Sequence, residues 1–168
     1  MAAHREEFEE LFRREFDRCA ATARRVVADG AVAEELAAEA FTRAWVRWRR
    51  VRRLASPGGW VVRVTTNLAL DQVRRGGAPM PSTVEPAALD EAIAAHLTLL
   101  AAVNRLPDRQ RTAISLRYFA DLPVDAVAEA MGVSGGAVKT HLHRGLERLR
   151  TLLTIEEPDL EARLAPRT

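Results

Sequence analysis

The sequence predicts an all-α protein of two small helical domains joined by a flexible linker, the second domain a helix-turn-helix. Three observations predict it. Apolar residues recur at helical spacing through both halves, and no stretch shows clean strand alternation; VVRVTT at 61–66 is β-rich in composition but falls inside a helical pattern. GGAPMPSTVEPAALD at 76–90 carries three prolines and two glycines, which break a helix and part the halves. Finally, LPVDAVAEAMGVSGGAVKTHLHRGLERLR at 122–150 reads as a helix, a glycine turn and a second, basic helix. The implied division is 1–76, a linker at 77–90, 91–155, and an anionic, disordered tail at 156–168.

Phe8, Leu11, Phe12, Phe16 and Cys19 form a helical stripe, so a first helix spans roughly 3–28 and Gly30 breaks it. A second helix starts near Ala33 and carries Leu36, Ala40, Phe41, Ala44, Trp45 and Trp48. RRVRRLASPGG at 49–59 is basic and ends in turn residues. A third helix runs from about Pro57 to Arg75. Its expected inward residues are Trp60, Val61, Val64, Leu68 and Val73; its outward ones include Arg63, Asn67, Asp71, Arg74 and Arg75. Trp60 suits either core packing or stacking on a base.

In the last element, Pro123 fits the first turn of a helix, where its missing N–H costs nothing. Val124, Val127, Ala128 and Met131 make one apolar face. Gly132 stands where a left-handed C-terminal cap is needed, and Ser134 is a good N-cap for the next helix. Val138, Leu142, Leu146 and Leu149 then point inward. Gly136, Lys139, Thr140, His143, Arg144, Glu147 and Arg148 point outward. Gly135 and Gly136 each disfavour helix by roughly 1 kcal/mol, which suggests close approach to a phosphate backbone. The plainer reading is a helical hairpin with a solvated basic face.

Composition bounds the function. Of the 168 residues, 48% are apolar, enough to bury a core in each half. No apolar run approaches the ~18 residues of a membrane span. MAAHREEFEELF is charged and amphipathic, unlike a secretory signal. A single cysteine, Cys19 at a core position, excludes an internal disulfide and a multi-cysteine zinc site, so a reducing cytoplasm is expected. His141 and His143, two apart on a helix, do not share a face, so no metal is expected. No nucleotide-binding glycine loop or hydrolase motif is present, so no catalytic residue and no cofactor are expected.

Charge is patterned. Residues 1–77 hold 15 Arg/Lys against 11 Asp/Glu, and 105–155 hold 8 against 5. Residues 78–104 hold none against 3, and 156–168 hold 2 against 4. Two basic blocks separated by an acidic connector suit a protein that touches nucleic acid at two places. All but one of the 25 basic residues are Arg, which favours bidentate phosphate and guanine contacts, although a GC-rich genome produces the same bias.

EELAAEAFTRAW at 34–45, GWVVRVTTNLALDQVRR at 59–75 and LPDRQRTAISLRYFADLPVDAVAEAMGVSGGAVKTHLHRGLERLR at 106–150 together resemble the bacterial extracytoplasmic-function (ECF) sigma factors, in particular their SigE-like actinobacterial group. The resemblance covers about residues 8–153. It implies that the helix at 33–46 docks on the β′ clamp helices of core RNA polymerase through Glu35, Leu36 and Glu39, while the second domain meets the β flap. The family usually has Asp at position 35 and Gln at position 38; here they are Glu35 and Ala38. By themselves Glu34, Glu35 and Glu39 read as a solvated helix face.

The resemblance further implies that residues 50–75 read and open the −10 element. Arg52, Arg53, Arg63, Arg74 and Arg75 would supply charge, and Asn67 would help hold a flipped base. The family's loop commonly carries Phe, Asp and Gly, where this one is Arg-rich. Ser134, Gly136, Lys139, Thr140, His143, Arg144 and Arg148 match the part that binds the −35 element in the major groove; a good base contact there discriminates by about 1–3 kcal/mol. Family members are often held by an anti-sigma factor, a possible partner here too. The expectation is therefore a sigma factor, monomeric when free, that binds core polymerase and promoter DNA. The alternative is an autonomous helix-turn-helix repressor or activator, which would dimerise on a palindrome.

Overall fold

The computed structural model describes residues 2–76 and 86–153. The expected flexibility of 77–85 and disorder of the tail lie outside the described residues. Regular structure among the described residues is entirely helical. The elements are α1 (Ala2–Val27), α2 (Gly30–Val46), α3 (Trp48–Val51), α4 (Pro57–Arg74), α5 (Pro86–Asn104), α6 (Asp108–Ile114), a π turn (Ser115–Phe119), α7 (Val124–Met131) and α8 (Gly135–Leu153).

Helix starts follow from local caps. Asp29 Oδ1 accepts from the N–H groups of Ala31 and Val32 at 2.9 and 3.1 Å. Gly30 is therefore the first residue of α2, not a breaker before it, because the cap precedes it. Ser56 caps α4 by accepting from Gly59 N–H at 3.0 Å, with Pro57 at the first helical position. α3 is one turn inside the segment expected to be a loop, anchored by buried Trp48 and Val51. α5 takes in residues 86–90 of the stretch read as linker and opens on Pro86, a residue tolerated there. Pro123 is the N-cap of α7, one position ahead of the expected place.

α4 is the central helix. Its buried residues are Gly58, Val61, Val62, Thr65, Thr66, Ala69 and Leu70, whereas Trp60, Val64 and Leu68, expected to face the core, are only half-buried. The shift has a tertiary cause: α1 and α2 cover one side of α4, and α7, α5 and the π turn pack on the other. Thr65 and Thr66 tolerate burial by donating back to Val61 O and Val62 O at 3.0 and 2.7 Å.

The halves are docked on each other. One apolar cluster joins Leu11, Phe41, Trp48 and Val61 to Leu116, Val127, Ala130 and Met131. The other joins Val26, Ala69 and Leu70 to Leu100, Val103, Ile114 and Leu149. Polar contacts cross as well: Arg25 Nη1 donates to Phe119 O at 3.0 Å, and Asn104 Nδ2 to Leu70 O at 3.3 Å.

Candidate nucleic-acid interface

α7, the turn and α8 form the helix-turn-helix through local chemistry. Gly132 ends α7 in the left-handed region at φ 66°, ψ 39°. Ser134 Oγ accepts from Ala137 N–H at 3.2 Å and starts α8. Val138, Leu146 and Leu149 are buried, which turns the opposite face of α8 outward. Ser134, Gly136, Lys139, Thr140, His143, Arg144 and Arg148 are all exposed there. At 3.6 residues per turn, Gly136, Lys139, Thr140, His143 and Arg144 fall within about 140° of the helix.

Thr140 Oγ1 donates to Gly136 O at 3.0 Å, so its hydroxyl is oriented along α8. Glu147 lies on the same face, 3.5 Å from His143 Nε2. A Cβ on Gly136 would meet only Ser134 Oγ, at an ordinary 3.9 Å, so the chain itself does not require glycine there. The buried glycine of α8 is Gly145, where a Cβ would lie 2.9 Å from Ile114 Cγ1.

The second set is less uniform. Arg63, Asn67 and Arg74 lie along one stripe of α4 spanning about 16 Å at 1.5 Å per residue. Arg53, Arg74 and Arg75 are exposed. Arg63 and Asn67 are half-buried; burial and then the neighbouring Arg109 charge pull the Arg63 guanidinium below its ordinary value. Arg52 is held by Glu7 in a bidentate pair, with both N–H···O distances 2.7 Å. Their hydrogen bond raises the Arg52 guanidinium and lowers the Glu7 carboxyl from their ordinary values. Arg74 pairs with Asp71 at 2.9 Å. Trp60 packs half-buried against the first apolar cluster.

On α2, Glu35 and Glu39 are exposed, and Glu39 pairs with Arg43 at 2.8 Å. Leu36 sits apart from them, half-buried against the second cluster. Beside the two carboxylates, Ala38, Thr42 and Trp45 help line a groove of about 540 Å³ closed by Phe8, Phe12 and Phe41. Trp45, expected in the core, is 48% exposed here, and Val46 is 77% exposed. The periodicity of α2 points Trp45 toward α1, but Phe8 packs edge-on to it at 4.9 Å and leaves its other face open. Among the described residues no group of His, Cys, Asp and Glu could hold a metal, and no helix is long and apolar enough to cross a membrane.

An exposed basic helix in a helix-turn-helix, carried behind a helical bundle with exposed arginines, defines the class as a DNA-binding transcription protein. Residues 11–78 match the Sigma-70 region 2 family, and residues 96–149 match Sigma-70, region 4. The RNA polymerase sigma-E factor of Streptomyces avermitilis is 33% identical over 166 residues, covering 96% of this chain and 92% of that protein. The sigma-E factor of Streptomyces coelicolor is 32% identical over 161 residues, covering 93% and 91%. The ECF sigma factor SigW of Bacillus subtilis is 31% identical over 140 residues, covering 72% and 75%. The chain belongs to the ECF sigma factors of RNA polymerase, within the SigE-like group, and is a specificity subunit for promoter-directed transcription initiation. The solved sigma factor RpoE of Bartonella quintana, in complex with the anti-sigma factor NepR, shares the fold at a TM-score of 0.52 and 21% identity, covering 90% of this chain and 99% of that one.

Proposed function

We propose that this sigma factor divides promoter recognition between the two surfaces. Lys139, Thr140, His143 and Arg144, framed by Ser134, Gly136 and Arg148, enter the major groove at the −35 element. Arg53, Arg63, Asn67, Arg74 and Arg75 hold the unpaired strand at −10, with Arg52 available once Glu7 releases it. The observation that carries the reading is the uninterrupted exposed row on α8, set by the Ser134 cap and the buried Val138–Leu149 face.

Core RNA polymerase docks through Glu35 and Glu39, whose charge suits the basic β′ clamp helices, with the Phe8–Trp45 groove beside them taking an apolar side chain. Leu36, half-buried, acts by positioning α2 rather than by contact. The second module meets the β flap. The protein performs no chemistry itself; polymerase transfers the phosphoryl groups. It works where core polymerase and the chromosome are, in the cytoplasm, and is a monomer when free. A relative solved with an anti-sigma factor supports such a protein as a third partner.

The test is co-purification with core polymerase followed by run-off transcription from promoters mapped after overexpression. Core binding and promoter-specific transcripts are expected. Tight binding to duplex DNA without affinity for core would overturn the reading in favour of an autonomous regulator.

A further inference from the structure

Arg47, Arg49 and Arg50 belong to neither of the rows above, yet they stand in the most basic stretch of the chain. Residues 40–70 hold seven arginines and no Asp or Glu, and five of the seven fall at 47–53, around α3. The backbone there is held by its own hydrogen bonds. Arg50 and Val51 N–H donate to Arg47 O at 2.9 and 3.0 Å, Arg52 N–H to Trp48 O at 3.0 Å, and Leu54 N–H to Val51 O at 3.0 Å. Trp48 and Val51 are buried, and that anchoring leaves Arg49 and Arg50 facing outward. Arg47, Arg49, Arg50 and Arg53 are all exposed. Among the described residues none of these four pairs with a carboxylate, whereas Arg43 and Arg52 are taken by Glu39 and Glu7.

Guanidinia crowded together without counter-charges repel one another, and a polyanion relieves that repulsion. Duplex DNA offers one negative charge per ~1.7 Å of its axis, a density that suits five arginines in seven residues. The charge of α2 and α3 is also polarised. Glu34, Glu35 and Glu39 stand on the first half of α2, and Arg47 follows Glu35 by twelve residues, or ~18 Å at about 1.5 Å each. A basic partner drawn to the acidic end is repelled by the arginine end, so the two ends need partners of opposite charge. Arg53 ties the cluster to the −10 row, because it stands four residues ahead of Pro57, where α4 starts. Arginine forks grip phosphate on any base sequence. The stretch is also where this chain carries arginine in place of the family's Phe, Asp and Gly.

We propose, resting on the two-element reading above, that Arg47, Arg49 and Arg50 form a sequence-independent clamp on the DNA phosphate backbone beside the −10 element. The clamp adds affinity and salt dependence without selecting a base. Base selection stays with α4.

The test uses holoenzyme assembled from core polymerase and the full chain, bound to a promoter duplex whose −10 region is pre-opened as a bubble. Affinity is measured across a salt series. The combined variant Arg47→Gln, Arg49→Gln, Arg50→Gln should lower the slope of log affinity against log salt by about two to three, since each lost phosphate contact removes roughly 0.7–0.9. Its affinity at about 0.1 M salt should fall at least ten-fold. On templates with single-base changes in −10 the loss should be the same factor each time, whereas Asn67→Ala should change the ratios between templates. Lysine at all three positions keeps the charge and should keep most of the slope. Core affinity should not change. Arg49→Gln alone, expected to lower the slope by nearly one, keeps the test decisive if the combined variant misfolds by circular dichroism. An unchanged slope in the folded variants, or a loss confined to one −10 sequence, overturns the clamp. Lost core affinity with an unchanged slope also overturns it and places the arginines against an acidic protein surface. A failed clamp leaves the −10 reading standing; promoter use indifferent to Asn67→Ala and to every −10 base change is what overturns that reading.

Discussion

Gly136→Ala separates what the chain needs from what DNA needs. Gly136 is the second residue of α8, where glycine carries a helix penalty of up to about 1 kcal/mol, smaller in the first turn. A Cβ added there has no close neighbour, Ser134 Oγ at 3.9 Å being the nearest. The free protein should therefore gain about 0.5 kcal/mol, a rise of roughly 1–2 °C in Tm for a chain of this size. Against DNA the sign reverses. If the start of α8 lies on the duplex, the methyl group separates backbone from phosphate or base, and losing one such contact costs about 1–3 kcal/mol, or roughly 5- to 150-fold in affinity. Gly145→Ala is the control of opposite character. Its Cβ meets Ile114 at 2.9 Å, so overpacking should lower stability by about 1–3 kcal/mol while its effect on DNA follows only from folding. Calorimetry gives the first quantity, and run-off transcription from a promoter with and without its −35 element gives the second. A Gly136→Ala protein that is more stable and transcribes as well as wild type from the −35-dependent promoter would refute the close approach.

Other expectations follow from ionisation and charge. Burial pushes the Cys19 thiol up to about 11 from 9.0. Below pH 9 the thiol is neutral in both states. Between 9 and 11 only the unfolded chain ionises, so up to about 2.7 kcal/mol of stability is lost across that window. Denaturant titrations of Cys19→Ala should lack that alkaline slope. The Glu7 carboxyl is lowered by its hydrogen bond from Arg52, so the stability this pair contributes is present above the ordinary carboxylate range and disappears as pH falls through the lower folded value. Glu7→Gln should remove that acid dependence and, by freeing Arg52, steepen the salt dependence of single-strand binding; an unchanged slope would show that Arg52 does not reach DNA. Glu39→Lys should lower core polymerase affinity at least about ten-fold with helicity intact, measured by co-purification and circular dichroism; retained binding would remove α2 from the docking surface.

Legibility tracked how local each determinant is. Gly132, Ser134 and the Val138–Leu149 stripe define the helix-turn-helix within some twenty residues, and the exposed row on α8 follows from them alone. The start of α2 was missed because Asp29, the cap, precedes a glycine that reads as a stop. The inward face of α4 was misjudged because its burial is shared between α1 and α2 on one side and α7, far along the chain, on the other. α3 and the π turn exist through tertiary contacts that no periodicity announces. The residues proposed for −10 are set at a distance likewise: Arg52 is committed by Glu7, 45 positions away, and Arg63 is half-buried near Arg109. Interface residues whose state depends on a distant partner leave no signal in spacing.

Ala38 lines the groove beside the surface proposed to meet polymerase. The family resemblance expects Gln there, and losing its amide forfeits a net hydrogen bond of about 0.5–1.5 kcal/mol. The same truncation helps open the groove between α1 and α2, whose aromatic walls include Phe8, Phe12, Phe41 and Trp45. An aliphatic partner side chain buried there would gain about 1.5–3 kcal/mol, more than the amide supplied. Ala38 is thus compatible with full core affinity by a change of contact type from polar to apolar. Ala38→Gln should then leave affinity unchanged or reduce it by filling the groove, and Trp45→Ala should reduce it about ten-fold or more. If Ala38→Gln instead strengthens core binding ten-fold while Trp45→Ala does nothing, the groove is unused and the acidic pair acts alone.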